Sequence, residues 1–355
     1  MDERALAFLK KLLDAPGPSG FEQVPARMWR EEAQGFAQVE VDVHGNSLAT
    51  LNPRGVPKVM LAGHVDEIGL MVVHVDDDGY LHFAGIGGWD SQVLVGQRVS
   101  IQAKQGPVLG VIGKKAIHLM KHEDRDRVSK ISDLWIDIGA RNKDEALARV
   151  RIGDPGVLAA HPHEMPNARI ISRSIDNRIG AFVVLEALRA LSQKKGFSAQ
   201  VTAVATTQEE IAYTGGGART SAVKLQPDAA IVVDVTHATD YPGVEKKEIG
   251  DFKLGAGPVI SRGSVVNRIV FEQLIEVAEA EKIPFAVEAA PRATNTDADA
   301  IHTARSGVAT GLVSVPCRYM HSPNEMVSLE DLDRASQLLA AWVQRLNGTS
   351  SFIPL

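Results

Sequence analysis

The sequence predicts an α/β protein in which a mostly parallel sheet, covered by helices, is interrupted by a β-rich segment. After Pro166, strands alternate with helical stretches of about ten residues or more, a rhythm that implies crossover connections and parallel neighbours. Between residues 68 and 164, short β runs broken by Gly and Asp follow one another instead. A chain of 355 residues, 45% of them hydrophobic, is long enough to give both parts a core. The expected division is therefore 1–67 together with 165–355 for the α/β domain, and 68–164 for the insert.

The elements follow in order. Ala5, Leu9, Leu12 and Leu13 recur at helical spacing until Pro16-Gly17-Pro18 stops the helix, and 21–32 reads as a second one. Val39, Val41 and Val43 alternate, His44-Gly45-Asn46 turns the chain, and 47–51 returns as a hairpin before the apolar strand 59–63. The insert offers β runs at 70–75, 80–83, 98–103, 108–112 and 134–138. Then come helix 179–191, strand 200–206, a helix near Ala218, strand 229–233, helix 268–281, strand 285–288, helix 299–305, strand 310–315 and helix 329–346.

Composition excludes several classes. With 38 Lys+Arg against 44 Asp+Glu, a net charge of -6 lacks the basic excess that phosphate backbones require, so no nucleic-acid partner is expected. No run reaches the roughly 18 apolar residues of a membrane span, so no membrane partner is expected. The single Cys317 cannot form an internal disulfide and sits in an apolar run, and the charged N-terminus lacks an export signal. A cytoplasmic protein is the expectation.

Ligands in α/β sheets bind beyond the carboxyl ends of strands, and polar groups collect there. His64 and Asp66 follow strand 59–63 and face one side, so a carboxylate can orient a metal-binding imidazole. Asp176 opens a helix, where it could equally be an N-cap. Glu209 and Glu210 end strand 200–206, and adjacent buried carboxylates need a cation or a shared proton. Asp234 ends the next strand, and His321 follows strand 310–315. Two imidazoles with four carboxylates and no thiolate suit Zn(II), Co(II) or Mn(II). Two ions about 3.5 to 4 Å apart could be held with one carboxylate left over as a general base. His118 and His122 read as surface residues, His161 and His163 lie at the domain junction, and Gly85-Ile86-Gly87-Gly88 is not at a strand-to-helix turn as a nucleotide loop would be.

Taken together, G-H-V-D-E-I-G at 63–69, S-I-D-N-R-I-G at 174–180, T-Q-E-E-I at 207–211, D-V-T-H-A-T-D at 234–240, T-D-A-D-A at 296–300 and R-Y-M-H-S-P at 318–323 resemble metallopeptidase family 42, the tetrahedral (TET) aminopeptidases. I-D-I-G-A at 136–140 and R-I-G-D-P at 151–155 resemble it too, so the likeness covers nearly the whole chain. The resemblance implies a zinc-aminopeptidase-like catalytic domain with a PDZ-like or β-barrel dimerisation insert, and dimers assembled into a hollow dodecamer. It implies that Asp176 bridges two divalent ions, that His64 and Asp234 complete one, and that Glu210 and His321 complete the other. Glu209 would be the general base, acting on a metal-bound hydroxide precursor, with Asp66 supporting His64. Peptides would be the substrates. Two stretches depart from the family: 212–217, which is Gly-rich, and Tyr241, where Thr is commoner. The rival readings are a glycan hydrolase using the carboxylate pair, since some members carry an endoglucanase label, and a non-catalytic shell protein. Only four Trp residues argue against a sugar groove, and the intact ligand set argues against a decayed site.

Overall fold

The computed structural model describes residues 1–194, 196–211 and 215–354. Its centre is an eight-stranded sheet in the order Gln38–Val41, Ser47–Leu51, Gln200–Thr206, Lys58–His64, Ala229–His237, Ala309–Cys317, Val259–Gly263, Ala286–Ala290. The four middle strands are mutually parallel, as the strand and helix alternation predicts. Antiparallel pairing appears on both flanks, where Ser47–Leu51 joins Gln200–Thr206 and Val259–Gly263 joins Ala309–Cys317.

Both faces of this sheet are buried. Val59, Leu61, Ile231 and Val233 point into a large core built with helices Glu3–Asp14, Gln23–Ala33, Ile175–Ser192, Arg268–Ala280 and Leu329–Arg345. Met60, Ala62, Ala230 and Val232 point into a smaller one against Gly216–Leu225 and Asp297–Ile301. The period of two with apolar residues on both faces is why these strands read as continuous hydrophobic runs.

The segment after Ile68 leaves the sheet and forms a closed six-stranded barrel of Gly69–Val75, Leu81–Ile86, Trp135–Asp137, Gly106–Gly113, Arg98–Ala103 and Pro155–Leu158. All its pairings are antiparallel, and its own core contains Leu70, Val72, Phe83, Val99, Ile101, Ile112 and Ile136. Closure removes the free strand edges that a six-stranded open sheet would expose.

Three elements differ from expectation in ways that matter. Strand Ala229–His237 runs past Asp234, which therefore lies inside the strand. The short strand Arg169–Ser172 before Asp176 belongs to a separate three-stranded sheet with His163–Met165 and Glu325–Ser328, so Asp176 reaches the central sheet from outside it. Helix Asp297–Ile301 starts two residues earlier than predicted because Thr296 caps it, its hydroxyl accepting the Ala298 N–H.

Candidate metal centre

The strands deliver their polar residues to one place. Thr206 is in register with His64, and Val232 with Ala62, so two residues further along Asp234 arrives beside His64. The His64 Nε2 to Asp234 Oδ1 distance is 4.0 Å. Asp176 is brought in by the helix Ile175–Ser192, which crosses the sheet at two glycines. A Cβ on Gly63 would lie 2.3 Å from the Gly180 carbonyl carbon, and one on Gly180 would lie 2.5 Å from the Val233 oxygen. Only glycine at both positions lets the helix approach this closely.

The start of that helix is tied down by its own motif. Asn177 Nδ2 donates to the Val233 carbonyl at 2.7 Å, and its Oδ1 accepts the Gly180 N–H at 3.0 Å. Arg178 is fully buried and donates to the carbonyls of Val65 and Leu12 and to Glu67. Glu67 also accepts from Arg173, so two guanidiniums neutralise and hydrogen-bond one buried carboxylate. Asp176 has non-helical φ and ψ of -78° and 107°, and the N-cap position belongs to Ser174. The N-cap alternative for Asp176 is therefore not what the helix start shows.

The resulting cluster is compact. Asp176 presents Oδ1 to His64 Nε2 at 3.3 Å and Oδ2 to His321 Nε2 at 3.4 Å. Glu210 Oε2 lies 3.3 Å from the same His321 nitrogen, and Glu209 Oε2 lies 3.7 Å from His64 Nε2. Two sets have ligand atoms mutually within 4.8 Å: His64, Asp176 and Glu210, and His64, Glu209 and Asp234. Geometry alone therefore admits Glu209 as a ligand as readily as a base. All seven residues singled out in the sequence meet here, including Asp66.

Asp66 does more than orient an imidazole. His64 Nδ1 faces it, 3.3 Å from its carbonyl and 3.4 Å from Oδ1, which leaves Nε2 directed at the cluster. Its carboxylate also accepts the backbone N–H groups of Glu209 and Glu210, both at 3.2 Å, and the Ser19 hydroxyl. One buried side chain thus fixes the loop carrying the Glu pair to the strand carrying His64.

The donor set fits divalent cations. Glu210 Oε1 is buried with no hydrogen-bond partner among the described residues, an open acceptor inside the cluster. Burial raises the carboxyls of Glu209 and Asp234 well above their usual range. Burial opposes a charged His64, yet the carboxylates of Glu209 and Asp66 lift it well above its ordinary value. Burial likewise disfavours the His321 imidazolium, yet Asp176 and Glu210 raise that ring to about 11. Three carboxyls raised in this way, Glu209, Glu210 and Asp234, beside two imidazoles raised by their carboxylate neighbours mark a site short of positive charge.

Sequence reasoning missed several contributors. Gly87 and Gly88, on the barrel rim, come against the cluster: a Cβ on Gly87 would lie 3.4 Å from Glu210 Cβ, and one on Gly88 would lie 3.6 Å from His321 Nδ1. Glu325 accepts the backbone N–H of both Asp176 and His321. Asp297, within the T-D-A-D-A motif, accepts the Thr206 hydroxyl beside Glu209. A cavity of about 440 Å³ opens over the cluster, lined also by Thr236, Ser261, Glu288 and Met320. A second, about 890 Å³, shares Glu209, Glu210, Asn295 and Thr296 with it. Of the departing segments, residues 212–214 lie outside the described residues, and Tyr241 packs edge-on against Tyr319 with ring centroids 5.5 Å apart. His118, His122, His161 and His163 are exposed and stand apart from the cluster, and Cys317 is buried in the main core.

Comparison with known proteins agrees over most of the chain. The family model of the M42 glutamyl aminopeptidases matches residues 45–338. A lysyl aminopeptidase from Pyrococcus furiosus is 35% identical over 346 residues, covering 95% of this chain and 96% of its own. The TET aminopeptidase structure from a marine sediment Thaumarchaeota archaeon superposes with a TM-score of 0.92 at 34% identity, covering 97% of each chain. A Pyrococcus horikoshii TET1 peptidase, which can assemble into a tetrahedron or a large octahedral shell, gives 0.85 at 31% identity, covering 96% of this chain and all of its own. An endoglucanase structure from Thermotoga maritima gives 0.76 at 28%. The chain belongs to the M42 glutamyl aminopeptidase family and is a peptide hydrolase.

Proposed function

We propose that this enzyme releases N-terminal residues from short peptides at a centre holding two divalent metal ions, with Glu209 as the general base. The observation that carries the reading is the bridge: Asp176 offers one oxygen to each imidazole, at 3.3 and 3.4 Å, while Glu210 has a buried acceptor with no partner among the described residues. His64 and Asp234 would complete one ion, Glu210 and His321 the other. Zn(II), Co(II) or Mn(II) suits this nitrogen and oxygen set. Bound ions would polarise the scissile carbonyl and acidify a water between them.

The chain's own groups do the rest. Glu209 takes the proton of the attacking water and passes it to the leaving amine, a role helped by burial that raises its affinity for a proton. Asp66 holds Glu209 and Glu210 at fixed positions through their N–H groups and directs His64 Nε2 inward. Consecutive side chains point in different directions, which supports one Glu as ligand and its neighbour as base. Gly87 and Gly88 leave the cavity mouth open where any side chain would narrow it.

The same reading extends to assembly and place of action. Leu109 and Val111 on the barrel are 61% and 46% exposed, and Leu119 and Val128 within the same 68–164 stretch are 71% and 60% exposed; such apolar exposure suits a contact between copies. With the shell formed by the Pyrococcus horikoshii relative, this supports dimers joined through 68–164 and built into a dodecamer. The lone buried Cys317 suits a reducing cytoplasm, and no helix among the described residues is long and apolar enough to cross a membrane.

Chelation of the purified protein should abolish hydrolysis of aminoacyl chromogenic substrates, and returning Zn(II), Co(II) or Mn(II) should restore it. Full activity of metal-free protein would overturn the mechanism. A soluble glucan in the same assay should give no product; metal-independent glucan cleavage would favour the glycan hydrolase instead.

A further inference from the structure

We propose that Glu325 is a positioning residue that holds two of the metal-facing side chains, Asp176 and His321, through their backbones; this rests on the two-ion reading above. Glu325 is 2% exposed and opens the strand Glu325–Ser328, where it is in register with Ser172 of the strand leading to Asp176. Its Oε2 accepts the Asp176 N–H at 3.0 Å and its Oε1 accepts the His321 N–H at 2.8 Å. Both oxygens are therefore turned to backbone, and Glu325 stands outside the ligand sets found among the described residues.

The two residues it holds lie on irregular backbone. Asp176 has non-helical torsions at the head of its helix. His321 and Tyr319 have φ of 58° and 62°, a left-handed conformation that residues with a Cβ rarely adopt. A loop of that kind keeps its shape only when surrounding contacts over-determine it. One carboxyl group bonded to both N–H groups fixes their separation. Glu325 thus does for Asp176 and His321 what Asp66 does for Glu209 and Glu210.

The consequence falls unevenly. Two of the three groups assigned to the His321 ion depend on Glu325, but only the shared Asp176 of the His64 ion does. In Glu325→Gln one acceptor oxygen remains while an amide NH2 opposes the other N–H. In Glu325→Asp the carboxylate is one methylene too short to reach both.

The test is calorimetric titration of metal-free wild type, Glu325→Gln and Glu325→Asp with Zn(II), alongside thermal melting of the metal-free proteins. The affinity of the weaker-bound ion should fall about 10- to 100-fold in Glu325→Gln, the tighter ion should change less, and kcat should recover at high metal. Glu325→Asp should fall between, and it carries the test if the Gln variant does not fold. Wild-type affinity for both ions, or an equal loss at both with a lowered Tm, would overturn the proposal, the latter showing a merely structural role. The wild-type titration stands apart: fewer than two ions there would sink the two-ion reading itself.

Discussion

His64 and Asp234 stand on adjacent parallel strands at the centre of the sheet and are 1% and 4% exposed. His321 hangs on a loop of left-handed residues, and its side chain is 33% exposed, although Glu210 beside it is 6% exposed. The two halves meet at Asp176. The inner half takes its geometry from strand register, which every hydrogen bond of the ladder reinforces. The outer half takes its geometry from individual side-chain ties, of which Glu325 is the most direct. A ligand on a strand is placed by the fold, whereas a ligand on a loop is placed by its neighbours.

That contrast can be broken outright at the bridge. Asp176→Asn should lower metal content at both positions and take activity to background, because one carboxylate serves both halves. Two ions retained in Asp176→Asn by metal analysis would remove the bridging role.

It can be sharpened by removing one imidazole at a time. His321→Ala should empty principally the outer position, with hydrolysis partly recovered at high metal concentration. His64→Ala should not be rescued, because His64 is wholly enclosed and fixed at the end of a central strand. Equal rescue of the two variants would show that the halves are not distinct.

The smallest effect on chemistry is expected far from both halves. Leu109→Glu places a charge on the exposed barrel face and should reduce the size of the sedimenting particle, while hydrolysis of single aminoacyl substrates changes little. An unchanged particle would move the contact elsewhere.

Much of this was legible in the sequence because periodicity reports burial. The alternation after Pro166 gave the parallel centre, and the broken β texture before it gave a separate β unit. The clustered residues were visible because charged groups after apolar strands have no core role to explain them. What escaped shares one property: the interaction is with backbone or with empty space. Glu325 binds two N–H groups, and Gly87 and Gly88 act by lacking a side chain. No spacing rule marks such residues. The end of strand Ala229–His237 was likewise placed too early, since a buried Asp234 inside a strand reads as a strand end until its neighbours are known.

The central claim is the division of labour between Glu209 and Glu210, neighbours that composition treats alike and that geometry places beside different imidazoles, Glu209 at His64 and Glu210 at His321. Calorimetric metal titration together with kcat for Glu209→Gln and Glu210→Gln tests it directly. Glu209→Gln should keep two ions and lose about 10² to 10⁴-fold in kcat, as removal of a general base does. Glu210→Gln should lose affinity for one ion and regain part of its activity at high metal. If Glu209→Gln loses an ion while Glu210→Gln keeps both, the two roles are reversed and the account is contradicted.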